Sequence, residues 1–158
     1  MAASARRHSA YESALPLAAG IASQPNQPGA SWVASVSLSS TARTTFTIGT
    51  INFDRGTDLN VAGNRFVDER AGLYLIGATW NSGNIANQCS CVVNLQRNGN
   101  PIGATIIDRQ SIGAGIDNVG DSYIHIMNLA AGDFIDATGQ TSCTGTAITG
   151  EFHVLRLM

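Results

Sequence analysis

The chain has 158 residues, a formal net charge of −2 and only 13% charged side chains, enough for one domain with a real core and no need of disulfides or metals. That charge balance offers nucleic acid no basic footprint. No stretch approaches the roughly 20 apolar residues of a membrane span.

Residues 1–30 differ in character from the rest. Arg6-Arg7-His8 is followed by a weakly apolar piece, Ala14 to Ala22, and a turn-rich linker, Ser23 to Gly29. Positive charge before apolar residues has the outline of a secretory signal, but Pro16 interrupts a thin apolar core. The expectation is an anchoring arm instead, with one short helix between Ala2 and Leu15. A polar, Pro/Gly-punctuated terminus frays unless a surface ties it down. That surface is a sister subunit, another protein or the chain's own domain.

From Ser31 to the C-terminus, residues 31–158, short apolar runs alternate with turn clusters, the pattern of an all-β sandwich or barrel. Strands are expected at Trp32–Leu38, Thr45–Phe53, Asn64–Val67, Leu73–Trp80, Cys91–Arg97, Ile102–Asp108, Ser122–Asn128, Phe134–Thr138 and Ala147–Leu157. Gly49 is placed to kink or bulge the second of these. Asn98-Gly99 supplies the positive φ angles of a tight hairpin, and Pro101 is tolerable at a strand start. Asp54 to Asp58 and Asn81 to Asn84 read as loops.

Face patterns add to this. Cys91, Val93 and Leu95 alternate with Val92, Asn94 and Gln96, so that strand has one buried and one wetter side. On Leu73–Trp80, Leu73 and Leu75 point one way while Tyr74, Ile76, Ala78 and Trp80 point the other. Both faces are apolar, as for a strand covered on both sides. The second cover is expected from another subunit, the arm or a long loop being the alternative.

Four runs in order resemble the C1q/TNF-like jelly-roll domains. They are Phe66-Val-Asp-Glu-Arg-Ala-Gly-Leu-Tyr-Leu-Ile76, Val93-Asn-Leu-Gln-Arg-Asn-Gly-Asn-Pro-Ile102, Asn128-Leu-Ala-Ala-Gly-Asp133 and the closing Thr149-Gly-Glu-Phe-His-Val154. The resemblance implies an all-β C1q/TNF-like jelly-roll sandwich of about 8–10 antiparallel strands. It also implies a homotrimer, with Tyr74, Ile76 and Trp80 at the trimer interface. Some members of the family hold calcium near the trimer axis. The loose carboxylate groups Asp54 with Asp58, Asp68 with Glu69, Asp117 with Asp121 and Asp133 with Asp136 match no metal motif, and turn chemistry accounts for them; no metal or cofactor is expected.

The chemistry-bearing residues point to no reaction. His125 lies on a strand between Tyr123 and Met127, and His153 flanks Phe152. Neither has a nucleophile and an orienting carboxylate at a recognisable spacing, and no GxSxG elbow, phosphate loop or HExxH occurs. Cys89 and Cys91 share a strand face and bridge each other poorly; with Cys143 they are expected to be reduced, acting as small buried hydrophobes. All nine Lys/Arg positions are Arg, which suits interfaces, although codon bias is the simpler account. No Asn begins a glycosylation sequon, no collagen-like stalk precedes the domain, and Glu151 and His153 interrupt the family's apolar closing strand. The expected function is therefore a non-enzymatic structural virion protein. It would be a trimeric capsid decoration or cement protein of a bacteriophage, stapled to the major capsid protein through Arg6, Arg7, Tyr11, Leu15 and Leu17. The alternative is the receptor-binding head of a fibre or tail tip, recognising a host glycan or protein. Neither has a nucleic-acid or membrane partner.

Overall fold

Period-two alternation carries most of this fold, because each strand must turn one face to a shared core. The computed structural model describes residues 28–38, 42–56, 58–85, 90–102, 109–110, 117–142 and 146–157. The arm residues Arg6, Arg7, Tyr11, Leu15 and Leu17, the thiols Cys89 and Cys143, and most of the strand expected at Ile102–Asp108 lie outside the described residues.

The elements are β1 (Gly29–Leu38), β2 (Thr44–Thr45), β3 (Thr47–Arg55), β4 (Leu59–Asn60), β5 (Arg65–Val67), β6 (Gly72–Ile85), β7 (Ser90–Arg97), β8 (Asn100–Pro101), β9 (Arg109–Gln110), β10 (Asp117–Leu129), β11 (Phe134–Thr141) and β12 (Thr146–Arg156). Among the described residues there is no helix. The first sheet runs β10-β6-β12-β1-β3, and the second β4-β5-β11-β7-β8, with β2 also paired to β11 and β9 to β7. All pairings are antiparallel, and strands distant in sequence lie side by side, as in a jelly roll.

Between the sheets lies one core. Trp32 and Phe152 stack at 5.7 Å, and Phe46 meets Phe152 edge-on at 5.5 Å. Phe46 also marks a departure from the sequence reading, which ran one strand from Thr45 to Phe53. The chain changes sheets at this residue: β2 pairs in the second sheet and β3 in the first. Its amide donates to the Ala137 carbonyl at 2.9 Å while its ring fills the core. The bulge expected at Gly49 is present, because the register of β1 with β3 passes from Thr50 to Ile48 and skips it.

Asn81-Ser-Gly-Asn84 is not a loop. It continues β6, since β12 pairs with it through Ala147 and β10 pairs from the other side. Two available ladders outweigh the turn composition of the segment. The hairpin at Asn98-Gly99 has φ of 53° and 77°, both in the left-handed region that such a turn requires. Gly132, at φ 85°, closes the turn before β11, and its amide donates to the Asp68 carbonyl at 2.8 Å. Two of the runs that carry the family resemblance therefore meet in space.

Candidate interaction surface

Tyr74, Ile76 and Trp80, expected at a trimer seam, are 0%, 1% and 5% exposed inside the chain's own core. The reason is the pleat of β6. Its inward side carries these three residues and Ala78 against the second sheet, so their apolar face is already covered. The opposite side of β6 carries Leu73, Leu75 and Gly77, of which Leu75 and Gly77 are buried as well.

That outer face is graded in three rows set by the β10-β6-β12 register. Ile126, Leu75 and Leu155 form the first, Ile124, Gly77 and His153 the second, and Ser122, Thr79 and Glu151 the third. Ile124 and Ile126 are 48% and 53% exposed, two large aliphatic residues side by side on a surface strand. The gradient ends in a polar bridge, where the Asn52 side-chain amide donates to Glu151 at 2.8 Å and to Ser31 at 3.1 Å. His153 sits between the apolar and polar rows, its Nε2 3.8 Å from Glu151 Oε1. Burial lowers its pKa, opposed only in part by Glu151. His125 is on the inward side of β10 and stacks on Tyr123 at 5.9 Å.

At one end of the sandwich two carboxylate groups meet. Asp54 comes from the end of β3 and Asp58 from the segment after it, Asp68 and Glu69 from the turn before β6. Arg70 lies between Asp58 and Asp68, at 3.4 and 3.2 Å. Tyr74 donates its hydroxyl hydrogen bond to Asp68. Burial, then that bond, pushes the Tyr74 phenol well above its ordinary range. Asp54 accepts from the amides of Asp58 and Leu59. A cavity of about 350 Å³ opens beside Asp58, Glu69 and Arg70. Arg70 supplies the positive charge between these carboxylates, and among the described residues no group of three or more His, Cys, Asp or Glu side chains is placed to hold a metal ion. Sequence spacing placed the two acidic groups in turns; their convergence on Arg70 is a product of the tertiary fold.

The Asp133–Asp136 pair separates. Asp133 caps the turn before β11, accepting from Asn98 at 2.6 Å, the Ala130 amide at 2.7 Å and Arg97 at 2.6 Å. Asp136 lies on the outer face of the second sheet. Burial alone would raise the Asp133 pKa, but its three donors together hold it below the usual value. Cys91 is a buried thiol, and desolvation pushes it up to about 11, which leaves it protonated and unreactive at neutral pH.

No family model and no curated protein matches the chain. Among solved structures it is similar to the globular domain of the zebrafish complement 1qA protein, with a TM-score of 0.62 and 11% identity, covering 84% of this chain and 98% of that one. Identity this low carries architecture and nothing finer. The four sequence runs, the order of strands in both sheets and this likeness agree: the chain folds as a C1q-like jelly-roll sandwich.

Proposed function

We propose that this protein is a non-enzymatic assembly head, a homotrimer joined through the outer face of β10, β6 and β12, and that it serves as a capsid decoration protein of a bacteriophage virion. The observation that supports the trimer is the exposed Ile124–Ile126 pair on the edge strand β10, next to Leu75 and Leu155, which are themselves buried at 5% and 2% exposure. Adjacent exposed aliphatic side chains mark a candidate interaction site, and closed homo-oligomers repeat such a patch around a symmetry axis. The shell attachment is assigned to residues 1–30, with Arg6, Arg7, Tyr11, Leu15 and Leu17 as the contacts to the major capsid protein. Three arms on one trimer act at high effective concentration, so modest contacts sum to long-lived attachment.

Two measurements test this reading. Sedimentation of the purified protein should give a trimer at micromolar concentration, and a monomer would overturn the assembly. Deletion of residues 1–30 should abolish binding to undecorated capsid shells, and unchanged affinity would overturn the attachment. The second reading is a receptor-binding head of a fibre or tail tip. It is supported by one feature, the cavity of about 350 Å³ beside Asp58, Glu69 and Arg70.

A further inference from the structure

Not every unsatisfied polar group of this fold is open to a ligand. Asn94 Nδ2 and Thr138 Oγ1, from residues opposite each other in the β7–β11 ladder, make no hydrogen bond within the protein but are sealed from solvent, as is Asp136 Oδ1. The cavity at the end of the sandwich is different. Its volume of about 350 Å³ is enough for a small organic group. Asp58, Glu69 and Arg70 share its lining with Leu59 and Val67.

Asp58 is the residue that points to a ligand. It is only 6% exposed, and it lines this opening. Among the described residues its carboxylate has one donor, Arg70 Nη2, at a long 3.4 Å from Oδ2. Oδ1 has none, and it is not one of the polar atoms sealed from solvent. The neighbouring carboxylates are better supplied. Asp68 takes Arg70 Nε, the Arg70 amide and the Tyr74 hydroxyl, and Asp54 takes two backbone amides. A buried carboxylate short of donors costs the folded chain stability, and burial with repulsion from Asp68 holds this carboxyl above its ordinary range. Gly56 keeps the space over it clear, because a Cβ there would collide with Asp58 Oδ2 and crowd Arg70 Nη2.

The charges around the cavity restrict what that ligand is. Asp54, Asp58, Asp68 and Glu69 stand against the guanidinium of Arg70, so an anion would meet a net negative field. A divalent metal ion needs six or more oxygen ligands, and among the described residues no group of three metal-binding side chains is placed for one. An apolar group leaves Asp58 Oδ1 without a donor, and a neutral donor leaves the excess negative charge. A cationic head with several N–H donors answers both needs. Leu59 and Val67 offer a wall for an attached methylene stem. We infer that this cavity binds an organic cation, an alkyl guanidinium or ammonium group, with its head on Asp58 and Glu69 and its stem along Leu59 and Val67. Such a group belongs either to a free small molecule or to a basic side chain of a bound polypeptide. The inference deepens the binding-head reading by giving it a ligand class and a place, and rests on that reading for the use to which the site is put.

The test is an NMR titration of the full-length, nitrogen-15-labelled protein at neutral pH with butylguanidine, butylamine and the blocked tripeptide acetyl-Gly-Arg-Gly-amide in turn. Butylurea, similar in shape to butylguanidine but uncharged, is the control. The expected result is a saturable shift of the Gly56, Asp58 and Leu59 amides with at least one cation and none with butylurea. Asp58→Asn, which keeps the side-chain shape, should weaken that binding about tenfold or more, while its thermal midpoint is unchanged or higher. Glu69→Gln, at the exposed rim, should weaken it about threefold. Binding of the tripeptide as tight as that of butylguanidine supports a polypeptide as the source, and binding of the small cations alone supports a free molecule. If no cation moves these amides, or butylurea moves them as much, the inference is overturned and the binding-head reading loses its cavity. If a cation binds with equal affinity to parent and both variants, the site lies elsewhere: the inference falls and the binding-head reading stands.

Discussion

Asp58 and Asp68 share a single guanidinium, with Arg70 Nη2 3.4 Å from one and Nε 3.2 Å from the other. One cation serving two buried carboxylates leaves Asp58 the worse placed, since Asp68 also accepts from the Arg70 amide and the Tyr74 hydroxyl. Desolvation first, and repulsion from Asp68 second, push the Asp58 carboxyl from 3.8 up to about 6.

The sign of the resulting pH dependence follows by linkage. A carboxyl with a raised folded-state pKa binds more protons folded than unfolded. Its contribution therefore lowers stability as pH rises through the interval from 3.8 to about 6, and the loss persists above it. Asp58→Asn removes the charge and keeps the shape. It should be more stable than the parent at about pH 7, by on the order of 1–2 kcal/mol, with the gain fading near pH 4. Urea unfolding at the two pH values checks this; an equal gain at both would trace it to packing instead of charge.

Asp133 behaves in the opposite sense. Its three donors hold its pKa below the usual value, so its contribution is present above the unfolded pKa and is lost as pH falls through the lower folded one. Asp133→Ala should destabilise by about 2 kcal/mol at neutral pH, because it leaves Asn98, Arg97 and the Ala130 amide without their shared acceptor. The deficit relative to the parent should shrink in acid. Chemical denaturation measured from neutral pH down through the carboxylate range would show it.

The apolar row on the first sheet predicts an assembly phenotype without a folding one. Ile126→Asp adds a charge to a half-exposed position, and surface changes of this kind usually alter folding stability by less than about 0.5 kcal/mol. In a trimer seam the same charge is desolvated, so the variant should sediment as a monomer with a far-UV spectrum like the parent's. A variant that remains trimeric would remove β10 from the interface.

Trp80 supplies the converse test. Its ring is enclosed by the chain's own core, so Trp80→Ala should cost about 3–5 kcal/mol of folding stability. Trp80→Phe should be milder, because it removes an indole N–H that makes no hydrogen bond within the protein. If Trp80→Phe instead dissociates a folded oligomer, the residue belongs to a subunit contact.

Much of the architecture was legible because local chemistry and tertiary demand coincide. Asn98-Gly99 forms a hairpin turn since both residues tolerate positive φ, and Gly49 is the bulged residue where strand continuity needed one. The errors fall where a distant partner overrides local composition. Asn81 to Asn84 has turn residues but gains ladders from β10 and β12, and Phe46 interrupts a continuous apolar pattern to carry the chain between sheets.

The interaction surfaces were harder to read. Alternation along β6 separates Leu73 and Leu75 from Tyr74, Ile76 and Trp80, but periodicity does not say which apolar face meets the chain's own second sheet. Here the aromatic side went inward and left the aliphatic side, with Ile124 and Ile126 from β10, facing out. In the same way Asn94 looks like an ordinary wet position until Thr138, forty-four positions away, is set opposite it.

The sequence by itself determined the all-β class, the hairpin and turn chemistry, and the face to which each residue of a strand belongs, because these depend on neighbours along the chain. Only the tertiary structure decided which face became core, which carboxylates converge on Arg70, and which polar groups were buried without partners. Those outcomes depend on which strands pair across long sequence separations and on the desolvation that follows.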